Sequence, residues 1–249
     1  MLDHALDAGT SGFAYKRLYQ LGGIAALIAA ALTLGEVILF AVYPQPGAIT
    51  DWFLLFQNNK FIGLLDFWGL EIPMYLMFIL VFLGFYLVLR EANRGLMALA
   101  LILAILGIGI FLATNNPISM LSLSNQYAAV KTDLERSTLQ AAGQAMLVNT
   151  NQRAIGGFNM GLFLVSVAGL IASLVMLQAN SFSRFTAQAG ILANALSLAD
   201  YLREALTSSA IIALLVILPY VLLLTLWLVL AGRRLYQLGS IKKMLPEQS

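Results

Sequence analysis

The stretch 115-NNPISMLSLSNQYAAVKTDLERSTLQAAGQAMLVNTNQR-153 decides the fold, because it is polar where the chain on both sides is built for lipid. It opens on Asn115-Asn116-Pro117 and closes on Asn149-Thr150-Asn151-Gln152-Arg153. Pro117 suits the first position of a helix, and the residues after it predict one helix over 118–130. Thr132-Asp133-Leu134-Glu135 has the form of a capping box, which predicts a second helix running to about Val148. Leu134, Leu139, Ala142, Met146 and Leu147 give that helix an apolar side with which to dock on a bundle. So long a connection is more than a bare loop. The expectation is a helical cap, residues 115–152, on the outer face of a membrane bundle.

Composition supports the membrane. Apolar residues make up 60% of the chain and charged residues 10%, with a mean hydropathy of +0.86. Soluble globular chains hold roughly 45–50% apolar and 25% charged residues. The net charge of +2 points to no nucleic acid. Without cysteine there are no disulfides, thiolate metal sites or Cys nucleophiles. His4 is the only histidine and lies outside the apolar runs, which excludes haem, chlorophyll or zinc held by intramembrane histidine. Retinal needs a lysine inside a span, whereas Lys16, Lys60, Lys131, Lys242 and Lys243 all lie outside. No Ser-His or Cys-His pair, GxGxxG or phosphate loop is legible, so no cofactor is expected and an enzyme is the weaker reading.

Working outward, six spans are expected in a single domain, 1–249: 18–43, 68–89, 95–114, 157–177, 185–202 and 211–232. Residues 1–15 carry Asp3 and Asp7 and no basic residue, so they read as a cytoplasmic lead-in rather than a signal peptide. In the first span Gly22, Ala26, Ala29 and Thr33 share one face, and Glu36 continues the series into the bundle. Pro44-Gln45-Pro46-Gly47 is a turn. Thr50 then looks like an N-cap for a helix over 51–57, whose Trp52, Phe53 and Phe56 are expected in the headgroup interface. Pro73 either lies in the first turn of the second span or kinks a longer helix beginning near Phe61. Gly157 and Gly161 form a GxxxG pair around Asn159, a close-packing signal. Pro219 predicts a kink in the last span.

The span over 185–202 is polar enough to need a second argument. With six spans and a cytoplasmic N-terminus, the inside holds nine basic residues: Lys16, Arg17, Arg90, Arg94, Arg184, Arg233, Arg234, Lys242 and Lys243. The outside holds five: Lys60, Lys131, Arg136, Arg153 and Arg203. Removing that span makes the split six to eight, and the positive-inside rule prefers the first count. Ala187, Gly190, Asn194 and Ser197 then face inward, away from lipid. An identical hexapeptide, Arg-Leu-Tyr-Gln-Leu-Gly, stands at 17–22 and 234–239. It reads as two membrane-edge anchors or as a paired docking surface.

Under this topology Glu36, Tyr43, Asp66, Glu71, Asn115, Asn116, Asn159, Asp200 and Tyr201 gather in the outer half, beneath the cap, with Arg153 entering there. Intramembrane ionisable residues usually mark a pocket or pathway, so these residues, with Asn194, form the candidate binding set. A hard cation on Glu36, Asp66 and Glu71 is a further reading, and a proton relay through Glu36 and Asp200 another. The inner halves offer little polarity beyond Thr33, Ser166 and Ser173, which argues against a carrier. The leading expectation is a non-enzymatic protein that binds a lipid or small amphipathic molecule, or supports a membrane complex. A second copy or another subunit of that complex is then the protein partner.

The runs RLYQLGGIAALIAA (17–30), LVLR (87–90) and LSLSNQYAAVKTDLERSTLQAAGQAML (121–147) resemble a bacterial six-helix integral membrane family catalogued only as a domain of unknown function. The resemblance implies six spans and an unassigned function, and it carries no catalytic residues over.

Overall fold

In a computed structural model, residues 2–149, 159–206 and 210–240 are described, and every regular element among them is helical. The order is α1 (Leu2–Val42), α2 (Ile49–Asn58), α3 (Lys60–Leu64), a π-helical turn (Leu65–Gly69), α4 (Glu71–Thr114), α5 (Pro117–Ala129), α6 (Asp133–Asn149), α7 (Met160–Gln178), α8 (Arg184–Leu206) and α9 (Ala210–Ser240). Among the described residues, four helical stretches are long and apolar enough to cross a membrane: Tyr15–Val42, Lys60–Ala129, Met160–Gln178 and Leu214–Ser240. Arg153 and Gly157 of the sequence reading lie outside the described residues.

The long stretch is not one straight rod. Asn93 leaves helical geometry (φ −157°, ψ 94°) inside α4, and its Oδ1 accepts a hydrogen bond from the Leu96 N–H at 3.0 Å. That is N-cap chemistry in the middle of an apolar run. The halves then fold back: the rings of Tyr75 and Phe111, near opposite ends of α4, stand 4.3 Å apart. At 1.5 Å per residue a straight helix would separate them by roughly 50 Å.

Small residues set the packing. Ala26, Ala29 and Thr33 are buried on the inner face of α1, and a Cβ on Gly22 would lie 2.9 Å from the Leu80 carbonyl oxygen of α4. Gly161 of α7 meets Gly107 of α4: a Cβ on Gly161 would lie 2.5 Å from the Gly107 oxygen. Close backbone approach of this kind replaces the hydrophobic drive that lipid removes. α8 packs between α7 and α9, and its Ala187, Asn194 and Ser197 are buried as expected. α9 continues through Pro219.

The repeated hexapeptides pair with each other. A Cβ on Gly239 would meet the Lys16 carbonyl oxygen and the Gln20 side chain, each at 2.6 Å. Gln20 Nε2 donates to Ser240 Oγ at 3.3 Å. Of the two readings, the docking surface is the one the geometry supports.

Four short helices make a second cluster, whose core is Ile49, Trp52, Phe53, Phe56, Phe67, Met120 and Leu147. Two expectations change here. α2 starts at Ile49 with Ala48 at its cap position and no side-chain cap, so Thr50 does not cap it. Trp52, Phe53 and Phe56 have no exposed surface; they form a core against α3, α5 and α6 instead of lying in a headgroup layer. α5 begins as read, with Asn116 Oδ1 accepting from the Ile118 and Ser119 N–H groups. In the Thr132–Glu135 box the Glu135 N–H donates to Thr132 Oγ1 at 3.3 Å, while the hydroxyl donates to Glu135 Oε2 at 2.6 Å. α6 docks on α2 and α5 through Gly143 and Leu147. Leu134, expected to dock, is 78% exposed, because the close approach at Gly143 fixes which side of α6 turns inward.

Candidate functional site

Five helices converge on a cavity of about 110 Å³. α1 brings Thr33, Glu36 and Phe40, successive turns of one face; α4 brings Glu71, Met74 and Tyr75 from its first turns. α7 supplies Leu162 and Ser166, α8 supplies Ser197, Asp200 and Tyr201, and α9 supplies Tyr220, Val221 and Leu224. Gln45 and Trp68 complete the wall from the connecting segments.

The rim at Trp68 is strained. Its φ of 62° and ψ of 12° put a bulky residue in left-handed backbone, at a cost of order 1–3 kcal/mol. The next residue has to be glycine, since a Cβ on Gly69 would run into the Leu64 carbonyl oxygen. Packing holds the indole, edge-on to Phe111 at 5.7 Å. The same reversal ends the π-helical turn and starts α4 at Glu71, with Pro73 harmless in its first turn.

Glu71 is the centre of the site. It is 2% exposed, and neither carboxylate oxygen closes a hydrogen bond of normal geometry. Its charged neighbours are Glu36 and Asp66, both acids. Asp66 has no exposed surface and both its carboxylate oxygens also lack partners; its carbonyl accepts from Gln45 Nε2 at 3.2 Å. Asp200 is paired with Arg203, accepting from its Nε at 2.6 Å. No Lys, Arg or His is among the described residues that line the cavity. Carboxyl groups gathered away from water are costly as anions, since each loses hydration and repels the next. Among the described residues no three acids come together as ligands for one metal ion, so the Glu36, Asp66 and Glu71 metal reading has no geometry behind it.

The structure thus brings Glu36, Glu71, Asp200 and Tyr201 into one cavity, with Asp66 behind Glu71. Asn115 and Asn159 form a buried pair, Asn159 Nδ2 donating to Asn115 Oδ1 at 3.4 Å, and Asn159 Oδ1 also caps α7. Asn116 caps α5. Tyr43 is exposed at the end of α1 and does not line the cavity. Asn194 sits one turn below Ser197, wedged against Gly169 of α7 and donating to the Gly190 carbonyl at 2.8 Å. Sequence reading missed Gln45, Trp68, Tyr75 and Tyr220. Tyr75 carried a signal, one helical turn from Glu71 on the same face; Trp68 carried none, because its position depends on a backbone reversal.

No curated protein and no solved structure matches the chain. A family does: residues 18–232 match the one described as "Domain of unknown function (DUF4386)". With most of its length covered by that match, the chain belongs to this family.

Proposed function

We propose that the chain is a six-span protein of the cell membrane, with both termini cytoplasmic, that binds a small molecule in the cavity around Glu71. The fold-back of α4 at Asn93 supports counting two spans there. The burial of the polar face of α8 between α7 and α9 supports counting α8 as a shielded span. The nine-to-five distribution of basic residues supports the orientation. In that orientation α2, α3, α5 and α6 form the outer cap, over the end of the bundle where the cavity lies. Reporter fusions at Asn180 and Ser208 test the span count: opposite sides are expected, and the same side removes α8 as a span.

One observation carries the binding reading: Glu71 is buried, lines a cavity beside Glu36, and neither of its oxygens closes a hydrogen bond of normal geometry. Structural polar groups in lipid are normally satisfied, so an unsatisfied acid in a cavity wall is a group kept for an occupant. At about 110 Å³ the cavity is small beside the roughly 300–1,000 Å³ of drug-sized pockets. The ligand is therefore a compact molecule or a headgroup, not a whole lipid. Native mass spectrometry of the protein released from nanodiscs, beside Glu71→Gln, tests this. A stoichiometric adduct lost in the variant is expected; a bare mass for both, with other polypeptides co-purifying, points to a structural subunit instead.

A second reading, a proton-coupled carrier, is favoured by Glu36 and Asp200 sharing the cavity with Glu71. It requires a polar route to the other face. Against it, Thr33, Ser166 and Asn194 each donate to a carbonyl one turn back in their own helix.

A further inference from the structure

Towards the other end of the bundle from the Glu71 cavity lies an open groove of about 450 Å³, between the α7–α8 connection and the C-terminal turns of α9. Thr186 of its wall and Ser197 of the cavity both stand on α8, about 16 Å apart at 1.5 Å per residue. We infer that this groove binds an anionic phosphate group, carried by an acidic phospholipid or by a small soluble phosphate. Charge is the first reason. α9 places Arg233 and Arg234 in the wall, and no Asp or Glu is among the described residues that line it. Arg234 is half-buried, and its Nε donates to the Ser181 carbonyl at 2.6 Å. That bond fixes the guanidinium against the α7–α8 connection and leaves its two amino groups without a partner among the described residues. Arg233 is exposed and makes no bond among them. A planar guanidinium pairs two phosphate oxygens at once.

The rest of the wall adds donors. Ser183 Oγ and Thr186 Oγ1 are 2.8 Å apart, and Ser183 Oγ also accepts from the Thr186 N–H at 3.1 Å. Two hydroxyl protons serve one bond between them, so one remains for a ligand. Phe182 stiffens the groove, being 6% exposed and edge-on to Phe85 of α4 at 6.0 Å. The position suits a headgroup. The apolar run of α9 gives way to Arg233-Arg234, at the end that the six-span orientation turns to the cytoplasm, and basic pockets between helices on that side take acidic headgroups. The groove also gives the second hexapeptide a role beyond packing: its Gly239 seats on α1, while its Arg234 and Gln237 line the groove. A cation would meet two like charges there, and an acyl chain alone would use neither arginine.

The test uses the full-length protein in two arms. Native masses are taken after release from nanodiscs holding phosphatidylglycerol and phosphatidylcholine in equal parts, and the lipid-stripped protein is titrated calorimetrically with inorganic phosphate. One retained phosphatidylglycerol, or saturable phosphate binding, is expected; the first assigns the phosphate to a lipid, the second alone to a soluble molecule. Arg233→Gln breaks no bond among the described residues and is expected to lower retention or affinity about fivefold. Arg94→Gln, at an exposed basic residue outside the groove, and Glu71→Gln, in the other cavity, are expected to leave it unchanged. No ligand in either arm, phosphatidylcholine retained as well as phosphatidylglycerol, or no effect of Arg233→Gln overturns the inference. So does an equal fall in Arg94→Gln, which would make the attraction one of diffuse surface charge. A lipid lost in Glu71→Gln but kept in Arg233→Gln overturns the groove and supports the binding reading, so the two sites stand or fall separately.

Discussion

Two buried polar regions of this protein differ in one respect. Along the α7–α8 interface Asn194 donates to the Gly190 carbonyl at 2.8 Å, and the Ser166 and Ser197 hydroxyls meet at 2.8 Å. Glu71, which lines the same cavity as Ser166 and Ser197, is as deeply buried, and neither of its oxygens closes a hydrogen bond of normal geometry. The first region behaves as interhelical glue, Asn194 satisfied within a turn and Ser166 and Ser197 across one interface. The second is held open by the architecture around it: the Asn93 fold-back, the Trp68 reversal and five converging helices. Burial alone does not tell the two regions apart. Ser173 and the Trp227 indole complicate the interface, since both lack partners and flank Gly190, where a Cβ would collide with each.

The contrast breaks most visibly at the backbone contact that seats α7 on α4. Gly161→Val places branched carbon against the backbone of Gly107 and Phe111, forcing α4 and α7 apart. A loss of about 3 kcal/mol is expected, the upper end of overpacking costs, read as a large fall in melting temperature by size-exclusion in detergent. Asn194→Ala sharpens the same point more gently. It removes one buried bond and leaves a space beside Gly169, for a loss of about 1–2 kcal/mol, while binding in the cavity persists. Asn93→Ala removes the cap that starts the second half of α4, for about 1 kcal/mol, without touching the cavity.

Much of the scaffold was legible in the sequence because its signals are local. The Gly22–Ala26–Ala29–Thr33 face, the Asn116-Pro117 start of α5 and the inward side of α8 each follow from spacing and capping. The acids were legible for the same reason: Glu36, Glu71 and Asp200 are conspicuous in apolar surroundings. What was not legible depended on tertiary placement. Trp52, Phe53 and Phe56 look alike whether they face headgroups or a protein core; the partners that bury them, Met120 and Leu147, lie far along the chain. Leu134 looks like a docking residue until Gly143 fixes the rotation of α6. Tyr220 enters the site only because α9 packs beside α1 and α8. The pairing of the two hexapeptides likewise required the antiparallel approach of α1 and α9.

The central claim is that Glu71 is kept for an occupant and not for the fold. Its place in the first turn of α4 favours an acid by about 0.3–1 kcal/mol, whereas burial beside Glu36 and Asp66 disfavours one. The second effect is the larger, so an amide in place of the carboxyl is not expected to destabilise the ligand-free protein. The direct measurement is the melting temperature of lipid-stripped Glu71→Gln beside wild type and Asn194→Ala. Glu71→Gln is predicted to melt at or above wild type while Asn194→Ala melts below it. A fall for Glu71→Gln as large as that for Asn194→Ala would contradict the account and make the carboxyl a structural member of the bundle.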